Sequence, residues 1–184
     1  MSRRSILLAT AASLLALTVS PAEAGTGSVQ LVRLYELATP IGGYFYTTSE
    51  TELDAAIREH GFGPAGVQAA RYVSRTQFAG STALHRLRAA GRASYLLALP
   101  QEAAALRDGG AFIDEGVLGF VDADGKVDQN PLPTGERLAT VWRISQSGAW
   151  RAVNARLMNH YTTDATPRWN LDGVLTHAWA VDGA

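Results

Sequence analysis

The chain contains no cysteine, a single lysine (Lys126) and no apolar run long enough to span a membrane. The absence of thiols excludes disulfide cross-links, lipoprotein anchoring, thiol nucleophiles and thiolate metal centres, so stability has to come from packing alone. Lysine and arginine together number 16 against 17 aspartates and glutamates, a formal net charge of −1. That balance lacks the clustered basic excess that phosphate neutralisation requires, and nucleic acid is not expected as a partner. Neither H-E-x-x-H nor G-x-S-x-G occurs, which removes the usual signatures of a zinc hydrolase and of a nucleophile elbow. No cofactor and no metal is expected.

The first 24 residues read as an export signal. Ser2-Arg-Arg4 supplies a positive n-region, Ile6–Val19 an apolar stretch, and Ala22-Glu-Ala24 an A-x-A cleavage site before Gly25. The apolar stretch is shorter than the ~20 residues of a spanning helix and ends at Ser20-Pro21. The two arginines also fit a twin-arginine signal, so both that route and ordinary secretion are open. The expectation is a secreted or periplasmic product, residues 25–184, forming one domain with no membrane span once the signal is removed.

Self-similarity is the main feature of the remaining chain. Gly43-Tyr-Phe-Tyr-Thr-Thr-Ser-Glu50 leads through a helical run to Gly66-Val67, and Ala93-Ser-Tyr-Leu-Leu-Ala-Leu-Pro100 leads at the same spacing to Gly116-Val117. Asn159-His-Tyr-Thr-Thr-Asp164, leading to Asp172-Gly-Val174, is a partial third echo. Each unit reads as a β-hairpin, a short helix and a closing strand. In the first, Val29–Tyr35 and Tyr44–Thr47 are strands across the turn Thr39-Pro-Ile-Gly-Gly43, Ser49 and Glu52 form a capping box, Gly61-Phe-Gly-Pro64 ends the helix, and Gly66–Val73 closes the unit. In the second, the strands are Leu84–Arg88, Ser94–Ala98 and Gly116–Val121, with a helix starting at Pro100. Residues 123–136, rich in Asp, Gly and Pro, read as a linker. In the third unit, strands are expected over Leu138–Ile144, Ala149–Asn154, Asn159–Thr162 and Gly173–Val181, with Pro167 reducing the helix to a turn. The expected fold is a β-rich α+β domain of three repeats (approximately 29–80, 81–122 and 137–184) in a pseudo-threefold, trefoil-like arrangement.

On these residues the chain resembles a repeat family of unknown function found in secreted bacterial and fungal proteins, with elements approximating V-Y-R-F-Y-N, H-F-Y-T-T and E-G-V-A-F. Val32-Arg-Leu-Tyr35 and Tyr44-Phe-Tyr-Thr-Thr-Ser49 carry the first two elements, and Asp114-Glu-Gly-Val-Leu-Gly-Phe120 carries the last. Arg151-Ala-Val-Asn154 and His160-Tyr-Thr-Thr163 are similar in the third unit, whereas the second departs at Leu97-Ala98. Members are often joined to cell-wall or glycan-degrading enzymes, and the resemblance therefore implies an accessory binding role.

Several constellations admit both a chemical and a structural reading. Arg33 and Arg86 with Glu52 and Glu102 are either ligand contacts or ion pairs tying strand to helix, the latter being the expectation; Arg143 or Arg151 would supply the third arginine. Strand alternation would bury Phe45 and turn Tyr44 and Tyr46 outward, where aromatic rings can stack on sugars, while packing in the core competes for the same rings. Asp122, Asp124 and Asp128 resemble part of a calcium loop that lacks its remaining ligands and its closing glutamate, so Asp124-Gly125 reads as a turn. His160 with Asp164 and Ser145 or Ser147 could form a triad only if tertiary structure supplied the geometry. Asp114 and Glu115 are adjacent on a strand and would point to opposite faces, which disfavours a carboxylate pair acting on one bond.

The expected function is a non-enzymatic binding module for cell-wall or other glycans. Tyr44, Tyr46 and Tyr161 would stack on sugar rings, and Thr47, Thr48, His160, Thr162 and Thr163 would hydrogen-bond their hydroxyls. Two alternatives stand beside it: an interaction or inhibitor protein binding another secreted protein through the 122–135 loop, and a small cell-wall polymer hydrolase.

Overall fold

A computed structural model describes residues 28–65, 71–123, 125 and 136–181. The export signal, Gly66-Val67, Asp124 and Asp128 lie outside these residues. Among the described residues, no helix is long and apolar enough to cross a membrane.

The chain is β-rich, and among the described residues ten strands form one antiparallel sheet. Strands β1 (Leu31–Ala38) and β2 (Tyr44–Thr47) form a hairpin, and the chain continues through α1 (Glu50–His60) and the two-residue β3 (Gly63–Pro64) to β4 (Arg71–Ser74). Next come β5 (Ser81–Ala89), β6 (Tyr95–Ala98), α2 (Pro100–Asp108) and β7 (Phe112–Asp122). The last group is β8 (Glu136–Gln146), β9 (Ala149–Val153), α3 (Ala155–Asn159) with a π-helical turn over His160–Asp164, and β10 (Asn170–Val181). In each group the first strand pairs with the second and with the strand beyond the helix: β2-β1-β4, β6-β5-β7 and β9-β8-β10. The closing strands also meet one another, through Trp179 with Tyr72, His177 with Asp122, and Ser74 with Phe120. At that meeting point Gly119 is required by close approach, since a Cβ there would stand 2.5 Å from Val73 Cγ2 and 2.8 Å from the Ser74 carbonyl oxygen.

Local sequence accounts for where the helices start. Ser49 is extended and its hydroxyl accepts from the Glu52 amide (3.2 Å), while Gly61 ends α1 in the left-handed conformation. The capping box is not closed, because the Ser49 amide donates to the Thr47 hydroxyl and the Glu52 carboxylate is drawn to Arg86. Pro100 opens α2, where a missing amide costs nothing.

The third group differs from expectation. Asn159–Thr162 is helical, because Asn154 caps a helix immediately after β9 by accepting from the Leu157 amide (2.9 Å). The Thr162 and Thr163 hydroxyls then bond back to the Met158 and Asn159 carbonyls, and the Ala165 amide reaches His160. Thus Ala149–Val153, rather than the His160-Tyr-Thr-Thr163 motif, is the strand opposite β8.

Three apolar clusters hold these elements. The central one draws Leu34, Tyr46, Val73, Leu84, Leu97, Val121, Val141, Ala152 and Leu175 from nine of the ten strands. A second, Leu37, Phe45, Phe62 and Tyr95 with Ala56, lies beneath α1, and a third, Leu87, Leu96 and Ala98 with Ala103, beneath α2. Strand β2 therefore has cover on both faces. Alternation sends Phe45 under α1 and Tyr46 into the central core, where its ring is 1 % exposed rather than outward as expected.

Candidate functional site

The ion pairs connect consecutive groups. Glu52 on α1 meets Arg86 on β5 (Arg86 Nη2 to Glu52 Oε1, 2.7 Å), and Glu102 on α2 meets Arg143 on β8 (Nη2 to Oε1, 2.8 Å). Each helix is thereby tied to the first strand of the next group, not of its own as the sequence suggested. Arg86 also bonds Glu115 (2.9 Å) and the Tyr46 carbonyl (2.7 Å), so its buried guanidinium has partners on several sides. The Arg86 hydrogen bond holds the Glu52 carboxyl below its ordinary range, a pull that partial burial opposes.

Register identifies the corresponding positions at the third junction. Arg86 pairs with Leu97, Arg143 with Ala152 and Tyr35 with Thr47, each partner standing two residues before a helix N-cap. Tyr35 thus occupies the arginine position in the first group, and Leu157 the glutamate position in α3. Where the last group meets the first, the arginine–glutamate pair lies at other positions, Arg151 with Glu36, and aromatic rings surround the arginine.

The Arg151 side chain, 2 % exposed, lies between Glu36 (Nη2 to Oε2, 3.3 Å) and the Ala65 carbonyl (2.6 Å). Its guanidinium stacks on Tyr44 (4.5 Å to the ring centroid) and Tyr161 (5.2 Å), and its Nη1 donates to the Tyr161 hydroxyl. Trp169 completes the cluster, its ring 6.1 Å from that of Tyr44 and 5.7 Å from that of Tyr161. The Trp169 amide donates to the Tyr161 carbonyl, and the Gln146 side-chain amide secures the Pro167 and Arg168 carbonyls, so the segment carrying the indole is pinned to the sheet. Tyr44, Tyr161 and Trp169 remain half-buried, with part of each residue accessible. Burial raises the Tyr44 phenol despite the opposing Arg151 charge, so the ring is neutral near pH 7. For Arg151 burial opposes the charge, but Glu36 and then Tyr44 outweigh it and the guanidinium stays protonated.

The other residues expected to bind ligand divide by location. Tyr46 is enclosed; its hydroxyl donates to Glu36 (2.9 Å) and accepts from the Ala152 amide (2.9 Å), so its ring has no free face for stacking. Thr47 is enclosed too, donating to Glu52. For these two residues burial corrects the expectation of direct ligand contact. Thr48 donates to the Leu118 carbonyl at the mouth of a different groove. His160 and Thr163 are exposed and Thr162 half-buried on the helical segment beside Tyr161. Arg151 stood in the Arg151-Ala-Val-Asn154 element and was a candidate third arginine, but nothing there marked it as the centre of an aromatic cluster, and Trp169 stood in no motif.

The triad and carboxylate readings find other partners. His160 Nδ1 is 3.9 Å from Asp164, but the Ser145 hydroxyl donates to Asp172 (2.7 Å). Asp114 is held by His85 (3.0 Å), and Glu115 by Arg86 and Arg88. Among the described residues, no group of three or more His, Asp and Glu is placed to hold a metal ion.

A family model described as Domain of unknown function (DUF5648) matches residues 15–122, a span ending with the last residue of β7. No curated protein and no solved structure matches the chain.

Proposed function

This chain belongs to the family Domain of unknown function (DUF5648), and we propose for it the role of a secreted, non-enzymatic module that binds cell-wall or other glycans through Tyr44, Tyr161 and Trp169. The observation that carries this reading is the third junction. Two junctions are held by an arginine–glutamate pair, whereas the third has neither residue at those positions and presents three partly accessible aromatic rings on a buried arginine. Rings fixed in this way lose little entropy on stacking against a pyranose, and the Tyr161 hydroxyl, which accepts from Arg151, keeps its own O–H to donate. His160 and Thr163, exposed beside Tyr161, add polar contacts at the rim.

The same comparison supports descent of the three strand groups from one block copied twice, arranged as a trefoil around a common core. Matched hairpin registers, matched helix caps and a core drawing on all three groups favour that origin. The binding patch is then the junction at which the copies diverged most.

The test is retention on insoluble polysaccharides, with Tyr161→Ala and Trp169→Ala compared against wild type. Wild-type retention that falls at least fivefold in both variants, with unchanged far-UV circular dichroism, supports the proposal. Absence of retention on every polysaccharide tried, or equal retention by all three proteins, overturns it.

A further inference from the structure

A second feature lies away from the aromatic patch. A groove of ≈ 890 Å³ runs between β1 and β7, with the start of α1 and Arg75 completing its walls. Its volume falls within the roughly 300–1,000 Å³ typical of small-ligand sites. Its lining includes Arg33 and Tyr35 on β1, Ser49 and Glu50 at the start of α1, Arg75 beyond β4 and the half-exposed Val117 on β7.

Two exposed arginines, Arg33 and Arg75, line this groove together. Arg71, Arg86, Arg88, Arg143 and Arg151 each face a carboxylate within 4 Å. Arg33 and Arg75, both exposed, have no carboxylate partner among the described residues. Arg33 instead lies over the Tyr35 ring, 5.1 Å from its centroid, and the Tyr35 hydroxyl donates to Glu50 (3.2 Å). The stack fixes a guanidinium beside an aromatic edge, and the hydroxyl anchors the ring to a carboxylate. A ligand entering here meets two free cations, an aromatic surface, a serine hydroxyl and one carboxylate able to accept hydrogen bonds.

We infer that the groove binds a carboxylate-bearing glycan, a uronic-acid oligosaccharide, with Arg33 and Arg75 on its carboxylates and Glu50 and Ser49 on its hydroxyls. This assignment rests on the glycan-binding reading above and extends it to a second site with a defined ligand charge. Guanidinium–carboxylate pairing would give both groove arginines a charged partner. Glu50 can accept from the several hydroxyls of each uronate residue, whereas an acidic peptide offers it only one backbone amide per residue, and oligoglutamate is therefore the control.

Titration calorimetry of the full chain tests the assignment with oligogalacturonate, oligomannuronate and oligoglucuronate, the methyl-esterified oligogalacturonate and oligoglutamate as probes. The expected result is binding of at least one uronate, weakening with added salt as exposed charges are screened, and lost on methyl esterification. Arg33→Gln and Arg75→Gln should each weaken it by roughly fivefold. Arg107→Gln, at an exposed arginine near the end of α2 and outside both the groove and the aromatic patch, should leave it unchanged. Failure of every uronate to bind, or indifference to both arginine variants, overturns the inference. Binding of oligoglutamate with equal affinity and the same arginine dependence assigns the groove to acidic peptides instead and also overturns it. If neutral polysaccharides are retained through Trp169 while all uronates are ignored, only the groove assignment falls; if nothing binds, both readings fall.

Discussion

Replacing Glu52 by glutamine tests the link between the first two strand groups with little steric change. Glu52 accepts two hydrogen bonds from Arg86, at 2.7 and 3.0 Å, and one from Thr47, while Arg86 keeps Glu115 and the Tyr46 carbonyl in the variant. Hydrogen bonds to charged groups contribute about 1.5–3 kcal/mol. The Glu52 side chain is 40 % exposed, so solvent screens part of that sum and the expected loss at pH 7 is about 1–2 kcal/mol. At roughly 2–4 °C per kcal/mol for a chain of this size, the melting temperature should drop by about 2–8 °C. The pH dependence separates charge from packing. The carboxyl is held below its ordinary value in the folded state, so its contribution is complete above the unfolded carboxylate pKa and disappears as pH falls through the folded one. Thermal unfolding followed by circular dichroism between pH 7 and pH 3 should therefore show wild type and Glu52→Gln converging on acidification. A gap that is absent at pH 7, or unchanged at pH 3, refutes the ion-pair account.

Other expectations follow from the same geometry. Arg151→Met removes one of the two arginines that face buried Glu36 and should cost about 1.5–3 kcal/mol in urea unfolding, with loss of near-UV ellipticity from Tyr44, Tyr161 and Trp169. Gly119→Ala forces a methyl against Val73 and the Ser74 carbonyl and should cost about 1–3 kcal/mol in the same assay. Burial raises the Tyr46 phenol well above its ordinary pKa, and nearby Glu36 adds to the shift. Its neutral form is thus favoured by folding, a contribution held below pH ~10 and lost as pH rises beyond it. In a spectrophotometric titration one tyrosine should ionise only together with alkaline unfolding, a step missing in Tyr46→Phe if that variant is folded.

Local chemistry was legible in the sequence, and distant partners were not. The hairpins, the Ser49 cap, the Pro100 start and the Gly61 stop follow from short-range rules that the structure obeys. Glu52 looked like part of a capping box because both residues of that motif were present, but Arg86, 34 residues further on, offers a stronger partner than a backbone amide. His160-Tyr-Thr-Thr163 has strand-forming residues and became helical because the Asn154 cap had already turned the chain after β9. Tyr44 and Tyr161 could be picked out as motif residues, yet only tertiary structure brings them onto one guanidinium. Tyr46, from the same motif, was claimed by the central core because β2 is covered on both faces. The groove is illegible in the sequence because its walls come from β1, α1 and β7: Arg33 and Tyr35, Ser49, and Val117 to Phe120 stand in three separate motif elements, and nothing in their spacing tells that the fold sets them side by side.

The most direct test of glycan binding at the third junction is an NMR titration with a soluble oligosaccharide, followed on the indole N–H signals of the four tryptophans. The account predicts that the Trp169 signal shifts with saturation while those of Trp142, Trp150 and the core residue Trp179 stay in place. Shifts confined to the other three, or no shift with any oligosaccharide, would contradict it.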